Sequence, residues 1–282
     1  IYRIPKYQRE YTWGTRDWDA LFKDVTENDN GYFLGSYICV NSGSLNGTTL
    51  EVIDGQQRFT TLTILLTALY EKLSALEDQM EAEDKTDLAN LRGELANKKQ
   101  QVSASGRKYH YTQRLILQKQ NMNDEDYSYL LSLKHVISEN KNRPTNFGNR
   151  RIAKAYSHFI KLLEERIEEI KAENPDTDDI SALFYIKNQF EQAIMVGIEV
   201  DTNKDAYMLF ESLNKRGVPL SAIDLIKNTL IATADSESDA DDAYELWKQI
   251  LNNIAPNDYS MQERFFRQYY NAFREELNKP YN

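Results

Sequence analysis

The sequence predicts an α+β protein, with a small α/β core at the N-terminus followed by a larger and mostly helical region. Two observations carry this. A β-hairpin pattern, residues 32–40 and 49–53 around the turn-forming stretch 41–47 (NSGSLNG), runs directly into an amphipathic helix starting at Gln56. After residue 118 nearly every apolar pattern has the helical period.

The elements follow in order. Residues 1–13 are extended in character, because Pro5 disfavours helix just before it and tyrosines recur at Tyr2, Tyr7 and Tyr11. Trp18, Leu21, Phe22 and Val25 have the i, i+3, i+4, i+7 spacing of a short helix. After the hairpin, Leu62, Leu65, Leu66, Leu69, Leu73 and Leu76 form one apolar stripe. Residues 77–101 are polar and charged, either a solvated helical extension or a connection. The run 114–118 (RLILQ) reads as a further strand. Helices are expected around Ile152–Ile170 and Ile180–Phe190, then a β-like run at 194–200 (IMVGIEV). Four more helices follow, near 204–213, 221–232, 241–254 and 261–277. The expected division is therefore residues 1–76 as the α/β core, 77–120 as a charged connection or an extension completing that core, and 121–282 as a helical domain.

Composition limits the function classes. The 282 residues carry 34 Lys+Arg and 44 Asp+Glu, a net charge of −10, with 41% hydrophobic content, as in an ordinary globular chain. No apolar run approaches the roughly 18 residues a membrane helix needs, so no membrane partner is expected. The single cysteine, Cys39, excludes an internal disulfide and a cysteine-built zinc site, which suits a reducing cytoplasm. His110, His135 and His158 lack metal-ligand spacing. The chain starts at Ile1 with no leader pattern, so it is expected to be cut from a longer protein.

The net charge conceals an uneven distribution. Between Lys98 and Lys161 there are 13 Lys+Arg and 4 Asp+Glu, a local balance of +9 that leaves −19 for the rest. Arg107, Lys108, Arg150 and Arg151 alternate there with Tyr109, Tyr111 and Phe147. Basic and aromatic residues together neutralise phosphates and stack on bases, making those four cations candidate DNA contacts. A solvated basic face, or an intramolecular partner for the acidic remainder, explains the same charges.

Three motifs carry chemistry. The first is Asp54-Gly55-Gln56-Gln57-Arg58, followed by Thr60 and Thr61. A strand entering a glycine and then a helix aims the helix's first N–H groups at one point, where negative charge is favoured. Arg58 adds a forked cationic contact for a phosphate, and the two glutamines suit positioning of a water or a phosphate oxygen. Asp54 can hold a divalent metal or act as a base. The structural explanation is that Asp-Gly simply forms a turn. The second motif is Ile4-Pro5-x-Tyr7-Gln8-Arg9-x-Tyr11-x-Trp13, whose alternation would place Tyr7, Arg9, Tyr11 and Trp13 on one face. An N-terminal strand covering a core accounts for it equally well. The third runs from Phe210 through Asn214, Arg216 and Gly217 to Asp224, Lys227 and Asn228. Gly217 suits a helix stop and Ser221 with Asp224 a capping box, so helix punctuation competes with ligand contact by Asn214, Arg216 and Lys227.

Taken together, IPxYQRxYxW, DGQQRxTTL and FxxLNxRGxxLxxxDLIKN, in this order from Ile4 to Asn228, resemble the N-terminal domain of GmrSD-type restriction enzymes. The resemblance implies a ParB/sulfiredoxin-like core with a helical extension that binds and hydrolyses nucleoside triphosphate with a divalent cation of the Mg2+ kind. It implies anti-phage defence, with recognition of modified DNA coupled to nucleotide hydrolysis and cleavage. On this likeness Asp54, Gln56, Gln57 and Arg58 are the catalytic candidates, with Asp54 also the metal ligand. Tyr7, Gln8, Arg9, Tyr11, Gly55, Thr60 and Thr61 are the nucleotide-binding candidates.

Such proteins pair this domain with a His-Asn-His-type nuclease, in the same chain or a partner subunit. No matching histidine pattern occurs here, so DNA cleavage by this chain alone is not expected. There is no GxxxxGK[ST], so the expected triphosphatase is not a P-loop enzyme. Homo-oligomerisation is compatible with this reading. The competing reading is a non-catalytic DNA-binding or interaction module that recruits a separate nuclease.

Overall fold

The structure, a computed structural model, describes residues 1–5, 8–28, 30–41, 49–103, 106–118, 122–214, 223, 226–227, 230, 237–255 and 258–273. It divides into two compact units, Ile1–Val200 and Asp201–Asn282.

The first unit is built on a five-stranded mixed sheet. Its strands are β1 (Tyr2–Arg3), β2 (Phe33–Asn41), β3 (Leu50–Asp54), β6 (Leu115–Ile116) and β7 (Ile194–Val200), in the spatial order β6-β1-β3-β2-β7. The expected hairpin is present: β2 and β3 pair antiparallel, with Cys39 opposite Val52. Strand β1 lies parallel to both β3 and β6, and β7 returns from far along the chain to run parallel to β2.

Helix α1 (Thr15–Thr26) buries Trp18, Leu21, Phe22 and Val25, the spacing the sequence shows. Helix α2 (Gln56–Ser74) starts directly after β3 and buries Ile64, Leu65, Ala68, Leu69 and Leu73. Its buried face is rotated from the leucine stripe: Thr60, Thr61 and Thr67 face inward, while Leu62 and Leu66 are only half-buried. Their hydroxyls reach the core because a threonine in a helix can donate back to the preceding turn, as Thr61 does to the Gln57 carbonyl at 2.8 Å and Thr67 to that of Thr63 at 2.7 Å.

The charged stretch after α2 forms α3 (Ala82–Leu95), anchored by buried Leu88, Leu91 and Leu95. It continues into β4 (Ala96–Ser103), which pairs with β5 (Gly106–Gln113) as a separate two-stranded sheet. Helices α4 (Asn123–Leu133), α5 (Arg151–Glu173) and α6 (Asp179–Gln192) share one core cluster with α2 and the sheet, including fully buried Tyr127, Phe159, Leu163 and Ile186. The fold is thus α+β, a small mixed sheet accompanied by a mostly helical body.

The second unit contains α7 (Asn203–Asn214), α8 (Glu237–Ile254) and α9 (Tyr259–Ala272). Trp247 stacks on Phe266 with ring centroids 5.1 Å apart, and Gln262 donates from α9 to the Ala255 carbonyl at 2.8 Å.

Candidate functional site

Strand β3 ends at Asp54, and α2 starts two residues later. The reversal is made by Gly55, whose φ of +90° is a left-handed conformation that costs little only for glycine. Space enforces the same choice, since a Cβ there would come within 2.9 Å of the Tyr37 Cβ. The first intrahelical bond runs from Phe59 N–H to the Gly55 carbonyl at 3.0 Å. The N–H groups before it have no intrahelical partner, as at any helix start.

Around this turn the signature side chains divide into two groups. Gln56, Gln57, Thr60 and Thr61 are buried, and Gln56, Gln57 and Thr61 tie the N-terminal segment to the helix. The Gln56 amide donates to the Gln8 side-chain oxygen at 2.9 Å, and the Gln8 amide donates to the Ile53 carbonyl at 2.7 Å. Gln57 accepts from the Thr12 N–H at 2.8 Å and the Trp13 N–H at 3.3 Å, and donates to the Glu10 carbonyl at 2.8 Å. Thr61 commits its hydroxyl proton to the Gln57 carbonyl. Tyr11 must therefore be the donor in its 2.8 Å bond to Thr61, and it accepts from Trp18 Nε1 at 2.7 Å. Burial pushes the Tyr11 phenol up to about 12, keeping it a neutral donor at physiological pH.

Asp54 and Arg58 form the second group. Arg58 donates to the Ser36 carbonyl at 3.1 Å and its guanidinium lies against the Cα of Gly35, where a Cβ would meet it at 2.9–3.0 Å. Burial raises the Asp54 carboxyl above its ordinary value, opposed by the Gly55 N–H and by the positive charges of Arg58 and Arg9. Arg9 is exposed, and its backbone carbonyl accepts from buried Gln118 at 2.5 Å. The result is one carboxylate between two arginine charges at a helix start, an arrangement chemically suited to a phosphate and its counter-ion.

Among the described residues no three His, Cys, Asp or Glu gather as a metal-binding group. An ion at Asp54 therefore fits only as Mg2+ commonly binds, through a single carboxylate with phosphate oxygens and water completing its shell.

The alternation read for the N-terminal motif does not hold: Arg9 is exposed whereas Tyr11 is buried. The cause is that residues 8–14 join no strand and are held by the Gln57 side chain instead of a ladder. Tyr7 lies outside the described residues, as do Arg216, Gly217 and Asp224. Asn214 ends α7, and Lys227 lies on a described helical turn in the second unit.

The four candidate DNA contacts also separate. Arg107 and Lys108 are exposed on β5. Arg150 pairs with buried Asp126 at 2.9 Å, and burial pushes that carboxyl up to about 6. Arg151 donates to the Thr12 carbonyl at 2.5 Å. Sequence reasoning missed Gly35, Tyr37 and Gln118. A glycine inside a strand pattern signals close approach by a neighbour, and that signal was present at Gly35.

These features define an α+β module whose central strand delivers a carboxylate to an anion-receptive helix start. The family model for the GmrSD restriction endonuclease, N-terminal domain, matches residues 1–231, and the chain belongs to that family. The match takes in all three sequence motifs and makes the chain a module of a restriction or defence protein. A search of curated proteins returned no match. No helix among the described residues is long and apolar enough to cross a membrane.

Proposed function

We propose that this chain is the nucleoside-triphosphate-binding and -hydrolysing regulatory module of a modification-dependent, type IV-like restriction or anti-phage defence protein. The supporting observation is the Asp54–Arg58 turn: a half-buried carboxylate with raised pKa, the Arg9 and Arg58 charges, and a left-handed Gly55 opening α2. In this reading the triphosphate lies at the start of α2, with Arg58 and Arg9 on its phosphates. Asp54 holds Mg2+ or accepts a proton from the attacking water, a task its raised pKa suits. Gln8, Gln56, Gln57, Tyr11, Thr60 and Thr61 act as positioning residues that fix the turn. The ParB/sulfiredoxin-like reading of the core rests on the family resemblance carried by the three motifs.

The module works in the cytoplasm on DNA, modified DNA above all, and a His-Asn-His-type nuclease in the parent chain or a partner subunit does the cutting. Asn214, Arg216 and Lys227 are kept as ligand contacts and a homo-oligomer as the assembly. The test is phosphate release with Mg2+, with and without modified DNA. Asp54→Ala and Arg58→Ala are expected to lower turnover by about 10²-fold or more with the circular dichroism spectrum unchanged. Wild-type turnover in both variants overturns the assignment.

A second reading, a non-catalytic DNA-binding or interaction module, is favoured by one observation, the exposure of Arg107 and Lys108. DNA binding by a chain with no phosphate release on any nucleoside triphosphate supports it.

A further inference from the structure

We propose that the β4–β5 hairpin is a ribbon that docks in a groove of duplex DNA. The proposal deepens the DNA side of the functional reading above and does not depend on nucleotide hydrolysis.

Residues 96–113 contain Lys98, Lys99, Arg107 and Lys108, together with His110, and no aspartate or glutamate, in a chain whose net charge is −10. The register is continuous from Ala96 opposite Gln113 to Ser103 opposite Gly106. At about 3.3 Å per residue each strand is about 26 Å long.

Alternation distributes the cations. Lys98, opposite Tyr111, lies on the same face as Tyr109 and Arg107. Lys99, opposite His110, shares the other face with Lys108. All four cations are exposed, and Tyr109 is exposed beneath the Lys98 ammonium, 4.1 Å from its ring centroid. A hairpin that merely covers a core shows one apolar face; this one carries positive charge on both.

Among the described residues, the anchoring contacts lie at the base of the ribbon. Ala96 is buried, and Tyr111 exchanges two 2.9 Å bonds with Ser138 while the Arg92 guanidinium lies 3.9 Å from its ring centroid. An isolated two-stranded hairpin is marginal in water, so this anchoring at Tyr111, opposite Lys98, holds the cationic ribbon in place. Edge lysines alone can guard against strand pairing, but that need does not call for four cations on two faces without a carboxylate.

A flat anionic surface meets one face of a ribbon. A groove meets both, because its two walls are lined by phosphates, and the major groove admits a two-stranded ribbon. Arg150 is engaged with Asp126 and exposed Arg151 with the Thr12 carbonyl, while the hairpin carries four exposed cations of the basic middle segment on one element.

The experiment is fluorescence anisotropy of the full chain with a labelled duplex of about 20 base pairs, between about 50 and 200 mM salt. Four phosphate contacts contribute about −3.6 to the slope of log K on log salt. The variant K98A/K99A/R107A/K108A is expected to flatten the slope by about 3 to 4, and Lys108→Ala alone by about 1 with an unchanged melting temperature. Arg58→Ala keeps the wild-type slope, and the hairpin variants keep basal nucleotide turnover, so failure of the nucleotide reading and failure of this one are distinguishable. An unchanged slope in the quadruple variant overturns the proposal. So does equally tight binding to phosphatidylserine vesicles.

Discussion

The side-chain oxygen of Gln57 lies 2.8 Å from the backbone nitrogen of Thr12 and accepts its N–H. With the Trp13 N–H as a second donor and the Glu10 carbonyl as an acceptor of its amide, this one glutamine replaces the missing strand ladder of residues 10–13. Gln57→Ala leaves those backbone groups without their partner and is expected to cost about 1–3 kcal/mol in urea unfolding. Gln57→Glu keeps the acceptor but sets a carboxylate oxygen against the Glu10 carbonyl in a buried site, so it is expected to destabilise as well, more above the carboxylate range than below it.

Tyr11 links three elements through its hydroxyl. Tyr11→Phe strips the acceptor from the buried Trp18 Nε1–H and the donor from Thr61. The expected cost is about 1–3 kcal/mol. Loss of stability in thermal unfolding with an unchanged far-ultraviolet spectrum checks it; a melting temperature equal to wild type would refute the role.

Gly35→Ala combines two effects. A φ of +110° is strained for alanine, by about 1–2 kcal/mol, and the new methyl falls on the Arg58 guanidinium. The arginine is flexible enough to move away, and in doing so it gives up the Ser36 carbonyl. Nucleotide turnover in Gly35→Ala is therefore expected to fall toward that of Arg58→Ala while the protein remains folded, as read by phosphate release alongside circular dichroism.

Asp54 sets function against stability. Burial raises its pKa, so the folded state holds the proton to higher pH than the unfolded state does. Stability contributed at this group falls as pH rises from the ordinary carboxylate range through the raised value. Asp54→Asn removes the charge. At pH 7 the variant is expected to unfold at higher urea concentration than wild type while losing phosphate release. The gap in stability closes below the ordinary carboxylate range, where both states are protonated; a variant less stable at pH 7 would contradict this account.

Much of the fold was legible because local patterning and tertiary packing agree. The hairpin, α1, α5 and β7 follow from alternation or helical spacing. The leucine stripe of α2 is kept in part, with Leu65, Leu69 and Leu73 buried and Leu62, Leu66 and Leu76 half-buried. The helix also turns Thr60 and Thr61 inward, and for Thr61 donation to the Gln57 carbonyl and the bond from Tyr11 meet its polarity. The candidate site was legible as a turn with a carboxylate and an arginine. That Gln57 acts on residues 10–13 was not, since a glutamine's partners 45 residues away leave no periodic trace.

The sequence by itself determined the chemistry on offer: Asp54 before a glycine at a helix start, and a net −10 chain with a +9 middle. Only tertiary structure decided how those charges are used. Arg150 and Arg151 belong to the same basic segment as Arg107 and Lys108, yet the first meets a buried carboxylate and the second a backbone carbonyl. Arg107 and Lys108 remain exposed on a two-stranded ribbon whose other strand supplies Lys98 and Lys99. Charge is a property of the residue, whereas its solvation and its partners depend on what the fold brings within a few ångströms.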